Sequence, residues 1–244
     1  MTKISEAVVL MAGTGSRLAP SSSGTFKALT PILDRPLISY LFDELNSVGV
    51  RRIHAIVGYQ AESLMVRVKP LVPSTLEVRF VHNPDWQKQN GLSVLAAAGR
   101  VQSPFLLTMS DHLFDEDLLE SFLRHATDGA LNLAVDRKIE SIVDIDDAMK
   151  VVTRSDRVVT LGKDLTQYDA IDTGLFVADH ELFDYLEAAK RGGDCSLADG
   201  VRLMAADGKV RAIDIGNAWW QDVDTPQTLL AAQKHLGTRL EPIS

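Results

Sequence analysis

The chain has 244 residues, 45% of them hydrophobic and 24% charged, which is enough to bury a full core and close to the upper limit for one domain. Its formal net charge of −8 excludes a nucleic-acid groove or a surface for anionic membranes, both of which need clustered Lys and Arg, so an anionic ligand must be met by a few local cations. A lone cysteine, Cys195, excludes an internal disulfide, the longest apolar stretches (such as 7–12) fall far short of the ~20 residues of a membrane span, and no signal-peptide pattern opens the chain; the expectation is a cytoplasmic protein of one domain, 1–244.

In chain order, Ala7-Val8-Val9-Leu10-Met11 is an unbroken apolar run ending in Ala12-Gly13-Thr14-Gly15, the pattern of a strand buried on both faces that feeds a tight turn. Over 35–48, Leu37, Tyr40, Leu41, Phe42 and Leu45 fall mostly on one helical face, with Asp34 as the expected cap, Pro36 in the first turn and Gly49 at the carboxyl end. A buried strand follows at 53–58, a helix at 61–69, a strand at 76–81, a helix at 92–99 and a strand at 104–109 that runs into Ser110-Asp111-His112. This alternation predicts an α/β fold with a doubly wound, mostly parallel (Rossmann-like) sheet and right-handed crossovers. In such sheets ligands collect at the carboxyl ends of the strands. From Leu131 onward the rhythm changes: strands at 131–135, 148–153, 157–161 and 171–177 are separated by turns, which predicts an antiparallel-leaning extension covering one side of the cleft. Helices at 181–190 and 196–206, a strand at 210–215 and a helix at 225–236 complete the chain.

The loop Gly13-Thr14-Gly15-Ser16-Arg17-Leu18 has Leu18 where a dinucleotide fingerprint needs its third glycine, and no G-x-x-x-x-G-K-[ST] stretch occurs. What remains is a turn whose backbone N–H groups can face a phosphate chain, with Arg17 and Lys27 to supply positive charge. Each feature alone reads equally well as ordinary structure: a tight turn and two solvated cations. Two acidic groups stand apart in the sequence, Asp111 at the end of a buried strand and Asp222-Val223-Asp224 after Trp219-Trp220-Gln221. Carboxylates from separate segments suit Mg²⁺, a hard cation that keeps several waters and takes few protein ligands. The competing role for Asp111 and Asp224 is to cap the helices that follow them.

Taken together, Leu10 through Leu18, the polar loop after it, Lys27-Ala28-Leu29 and Pro36-Leu37-Ile38 resemble the nucleotidyltransferase family that activates sugar and alcohol phosphates. The likeness departs at Phe26, where that family often has proline. Further along, Asn90-Gly91-Leu92-Ser93, Thr108-Met109-Ser110-Asp111-His112, Val143-Asp144-Ile145, Gly162-Lys163-Asp164-Leu165, Asp172-Thr173-Gly174 and Trp220-Gln221-Asp222-Val223-Asp224 are similar to the branch that joins CMP from CTP to inositol 1-phosphate. The resemblance implies Mg²⁺-dependent transfer from an NTP, here CTP, to a small phosphorylated alcohol, with release of pyrophosphate. It implies that Met11, Ala12, Gly13, Thr14, Gly15 and Ser16 wrap the NTP phosphates, that Arg17 faces the departing pyrophosphate, and that Lys27 lies near the reacting phosphate. It further implies Asn90, Gly91 and Ser93 near the base or ribose, Lys163 as a catalytic cation on the acceptor phosphate, Asp172 near the acceptor hydroxyls, and Asp111, Asp222 and Asp224 on the metal. On the residues alone, Asn90-Gly91 also reads as a turn, Lys163 as a surface cation, Asp172 as a structural hydrogen-bond acceptor and His112 as a supporting group. Other acceptors or bases (a phosphonate, phosphocholine, or GTP with a cyclitol phosphate such as valienol 1-phosphate) and a non-catalytic nucleotide-binding regulator are the competing readings.

Overall fold

A computed structural model of the chain describes residues 4–15, 18 and 26–240. Strand β1 (Glu6–Met11) is buried along its whole length, as its unbroken apolar run demands. A short ribbon, β2 (Pro31–Ile32) and β3 (Arg35–Pro36), precedes helix α1 (Leu37–Ser47). The chain reverses there at Leu33, whose φ is +53°. Asp34 therefore sits in the ribbon's turn and is not the helix cap expected of it; Pro36 holds the cap position with no side-chain cap bond.

Strand β4 (Arg52–Val57), helix α2 (Ala61–Val68), strand β5 (Glu77–His82), helix α3 (Asn90–Leu95) and strand β6 (Phe105–Met109) continue the expected alternation. Helix α3 starts earlier and is shorter than the predicted 92–99 segment, passing into turns that run through Gly99, φ +70°. Strand β7 (His112–Phe114) and helix α4 (Glu116–His125) occupy a stretch where the sequence reading places no element. Strands β8 (Leu131–Asp136), β9 (Lys150–Arg154), β10 (Arg157–Gly162) and β11 (Ala170–Ala178) then form the predicted extension. Helix α5 (Glu181–Ala189), helix α6 (Leu197–Ala206), strand β12 (Val210–Asp214), strand β13 (Trp220–Asp222) and helix α7 (Pro226–Leu240) follow.

Nine strands form one sheet in the order β5-β4-β1-β6-β11-β8-β12-β10-β9. The first four are parallel to their neighbours, β11 runs antiparallel between β6 and β8, and β8 and β12 are again parallel. At the far end β9 returns to pair with the start of β11, Ala170 opposite Val151 and Ile171 opposite Lys150, so this half of the sheet curls round on itself. Alternation along β1 splits the core: Val8 and Leu10 pack with α3, α5 and α6 residues such as Val94, Leu186 and Val201, while Ala7, Val9 and Met11 pack with α1, α2 and α4 residues such as Phe42, Leu64 and Phe122. A third cluster joins Ile32, Leu37, Leu113, Val223 and Ala232, with Leu18 against it, and ties the small ribbons and α7 over the carboxyl edge of the sheet. Among the described residues, no helix is long and apolar enough to cross a membrane.

The reversal of β11 has a positional consequence. Phe176 pairs with Leu107 and Asp172 with Val135, so the first residues of β11 lie at the edge where β1, β6 and β8 end. Side chains at the start of one strand thus join those after the ends of three others.

Candidate active site

The glycine turn after β1 is shaped by its neighbours. Gly15 has φ +65°, and a Cβ on it would lie 2.7 Å from Cβ of Lys27, so any side chain here would be strained and would push Lys27 aside. Phe26, buried in the core, anchors the one-turn 3₁₀ helix Lys27–Leu29. Across the turn, Gly58 lets Trp86 approach so closely that a Cβ would stand 2.2 Å from Cβ of Trp86. The Tyr59 N–H donates to Ala12 O at 2.9 Å. Together Met11 to Gly15, Lys27, Trp86, Lys88, Asn90, Ser93 and Asp111 line a cavity of about 340 Å³.

The carboxylates arrive on a second small ribbon. Strands β7 and β13 pair antiparallel, His112 opposite Asp222, and the Val223 N–H donates to Asp111 O at 2.9 Å. This brings Asp111, Asp222 and Asp224 to one place from segments far apart in the chain. Neither Asp111 nor Asp224 serves as the cap weighed for it: Asp115 holds the cap position of α4, and the first turn of α7 is closed by Thr225 Oγ1, which accepts from the Thr228 N–H at 3.3 Å. Instead the Lys27 ammonium bridges Asp111 Oδ2 and Asp224 Oδ1. His112 Nδ1 lies 2.6 Å from Asp111 Oδ1. Burial would push the Asp111 carboxyl up, but the adjacent Lys27 and His112 charges outweigh it and hold the group well below the usual carboxylate range. Burial of His112 works the other way and is outweighed by the Asp111 and Asp222 carboxylates, leaving the imidazole above its ordinary value.

Asp222 accepts from Gln221 Nε2 at 3.1 Å and faces a second cavity of about 460 Å³, lined also by Asp136, Lys138, Asp144, Asp147, Lys163, Asp172, Gly174 and Trp220. Lys163 is half exposed there, with Nζ 2.5 Å from Asp147 Oδ1. Asp172 accepts from the Gly174 N–H at 2.7 Å, and burial pushes its carboxyl up to about 6 against that bond and the His112 charge. Lys138 binds Asp136 Oδ1, Gly216 O and Ala218 O at 2.8, 2.7 and 3.1 Å, and Trp220 Nε1 donates to Asp136 Oδ2 at 3.0 Å; this network fixes the cavity's back wall. Asn90, Met109, Asp111 and Asp224 line both cavities, so the two spaces meet at the carboxylates.

Of the residues singled out in the sequence, the structure gathers Met11, Ala12, Gly13, Thr14, Gly15, Lys27, Asn90, Ser93, Asp111 and Asp224 around the first cavity, and Lys163, Asp172 and Asp222 around the second. Gly91 is buried beside Cys195, where its N–H donates to Cys195 O at 3.1 Å. Asn90 Oδ1 is engaged by the Leu197 N–H at 2.8 Å. Ser16 and Arg17 lie outside the described residues. Trp86, Lys88, Asp136 and Lys138 were not singled out; of these only the tryptophan, set in the polar run Asn83 to Gln89, carries a local signal. Among the described residues no three His, Cys, Asp or Glu side chains converge as a ready metal cage. Asp111 with Asp224 nevertheless fits Mg²⁺, which needs only one or two carboxylates and completes its shell with water and substrate phosphates.

A glycine turn and lysine at the carboxyl edge of a doubly wound sheet, beside paired aspartates and a second polar cavity, define a nucleotidyltransferase. The chain matches the MobA-like NTP transferase domain over residues 7–193 and belongs to that family. It is 31% identical over 235 residues to the bifunctional IPC transferase and DIPP synthase of Aquifex aeolicus, and 34% identical over 230 residues to the protein so named in Rubrobacter xylanophilus, covering 96% and 93% of this chain but 52% and 51% of theirs. The chain thus spans about half the length of the curated relatives it matches. The inositol-1-phosphate CTP transferase from T. maritima superposes with a TM-score of 0.83 at 26% identity, covering 99% of this chain and 98% of that one. A UDP-glucose pyrophosphorylase from Acinetobacter shares the fold at a TM-score of 0.75 and 18% identity.

Proposed function

We propose that this nucleotidyltransferase joins CMP from CTP to inositol 1-phosphate or a closely similar polyol phosphate, releasing pyrophosphate. The observation that carries the reading is the pair of cavities that share Asn90, Met109, Asp111 and Asp224. The first offers a backbone turn and a lysine for a triphosphate, the second a lysine and several carboxylates for an alcohol phosphate. The transfer joins an acceptor phosphate oxygen to the α-phosphorus as the bond to pyrophosphate breaks. The nucleophile is already an anion, so no general base is required; the obstacle is repulsion between two anions, and positioned cations remove it. Lys27 supplies charge on the nucleotide side and Lys163 on the acceptor side. Mg²⁺ held by Asp111 and Asp224, with Asp222 beside them, supplies further neutralisation of the NTP phosphates when bound. The T. maritima neighbour supports CTP and inositol 1-phosphate as the pair to test first. Asp144, Asp147 and Asp172 around the second cavity offer acceptors for several ring hydroxyls, which favours a polyol over choline or an aminoalkyl phosphonate.

A coupled pyrophosphate assay with four NTPs against a panel of cyclitol, sugar and choline phosphates and a phosphonate tests this. Turnover is expected with CTP and a cyclitol phosphate, to be lost in excess EDTA. Turnover persisting in EDTA counts against the metal, efficient turnover of phosphocholine with none of a cyclitol phosphate overturns the acceptor, and silence across the panel overturns the whole reading.

A further inference from the structure

Asp111 carries its two oxygens to two different sides of the site. Oδ2 meets Lys27 on the nucleotide side, while Oδ1 lies 2.6 Å from His112 Nδ1, and His112 lines the acceptor cavity. The imidazole has little freedom to do anything else. It is buried on β7, its ring lies nearly parallel to that of Trp220, 6.1 Å between centroids at 18°, and Phe114 tilts against it at 6.2 Å. From β11, Gly174 presses so close that a Cβ there would stand 2.4 Å from His112 Nε2. Trp220 is in turn held by Asp136 at 3.0 Å. The ring is thus gripped by β7, β11 and β13 at once, and through Nδ1 it engages the Asp111 oxygen that Lys27 does not.

We propose that His112 is a positioning residue for nucleotidyl transfer, holding Asp111 Oδ1 from the acceptor side so that Oδ2 is presented to the nucleotide and its cation. The inference rests on the nucleotidyltransferase reading above. Hydrogen-bonding partners of a metal-binding carboxylate orient it, and removing one typically costs about 10–100-fold in metal affinity or activity. His112→Phe fills the same slot between Trp220 and Gly174 but loses the donor, whereas His112→Asn keeps an N–H donor where Nδ1 stands.

The experiment compares wild type, His112→Phe and His112→Asn in two measurements, binding of Mn²⁺ with CTP followed by electron paramagnetic resonance, and kcat with both substrates saturating. The phenylalanine variant is expected to lose about tenfold or more in both, with the asparagine variant recovering most of the loss and thermal melting showing both folded. Equal losses in the two variants that track their melting temperatures would reduce His112 to a packing residue and overturn the proposal. An active wild type with an unchanged His112→Phe variant would overturn it while leaving the proposed function standing. A wild type inactive across the substrate panel and unable to bind CTP would overturn both.

Discussion

Replacing Asp172 by asparagine should make the protein more stable and less able to use its acceptor. Asp172 sits at the start of β11, and its carboxyl is pushed up to about 6 from an ordinary value of 3.8, burial dominating over the Gly174 N–H and the His112 charge. Between those two values the folded state holds a proton that the unfolded chain has released. Stability therefore falls as pH rises from about 4 to 6, and above that window the full cost is present. Two units at about 1.4 kcal/mol each give a cost near 3 kcal/mol, which residual contact with the open cavity trims to about 1–3 kcal/mol. Asparagine keeps the volume and an oxygen for the Gly174 N–H while removing the charge. At roughly 2–4 °C per kcal/mol for a chain of this size, the variant should melt about 2–12 °C higher than wild type at pH 7.5. At pH 4 the gain should be near zero, and the acceptor KM should rise at all pH values. Thermal unfolding at intervals from pH 4 to 8 reads the first effect and initial rates the second. An equal gain at pH 4 and pH 8, or a lower melting temperature at pH 8, would show that the carboxyl is not paying for its burial and would refute the reasoning.

Asp222→Asn should remove most of kcat while shifting the melting temperature little, whereas Asp111→Asn should remove kcat and also lower the melting temperature, because it breaks the contacts with Lys27 and His112; unchanged turnover in either variant would return that residue to a structural role. Lys163→Ala should raise the acceptor KM and lower kcat with NTP affinity nearly unchanged, whereas Lys27→Ala should weaken the NTP side or the chemical step, and equal loss of NTP binding in both would end the division of the cleft. Gly91→Ala places a Cβ 2.6 Å from Cys195 O and should push α3 off the 195–197 segment, costing about 2–4 kcal/mol for overpacking and a lost hydrogen bond; a melting temperature within 2 °C of wild type would show that the segment yields freely. Glu6 is buried with Arg52 at 2.5 Å, His54 at 2.8 Å and the Gln102 N–H at 3.0 Å, and these partners overcome burial to hold it below its ordinary value. Its contribution is full above pH ~4.5 and is lost as pH falls through the depressed value, so Glu6→Gln should cost about 3 kcal/mol at pH 7 and progressively less in acid melts.

The parallel half of the sheet was readable because its signal is local. Ala7 to Met11 has no polar interruption, and Leu37, Leu41 and Leu45 repeat at helical spacing. Helix α4 had such a signal too: Leu118, Leu119 and Phe122 are buried along one face, and Asp115 stands in the cap position before them. Asp34 misled because its fitness as a cap is judged from its neighbours in sequence, while Leu33, turning back at positive φ, decides where the helix begins. Asp111 was legible as a residue at the end of a buried strand and the glycine turn as a phosphate-facing loop. That Lys27 stands between Asp111 and Asp224 depends on three distant segments meeting, which no spacing encodes. The Asn90 amide shows the same limit, its oxygen being taken by Leu197 on a helix from the other half of the chain.

The reversed strand β11 also divides the labour of change. Most of the first cavity, proposed above for the triphosphate, hangs from the segments after β1, β5 and β6, while much of the second, Asp136, Lys138, Asp144, Asp147 and Lys163, belongs to segments around β8, β9 and β10. Under the proposed function, change in the 141–149 and 161–163 segments would reshape the second cavity, and so the choice of acceptor, without touching the glycine turn that lines the first. A scaffold built this way can diversify its products by rewriting one flank, with Asp111 and Asp224 as the seam along which the two histories must stay matched.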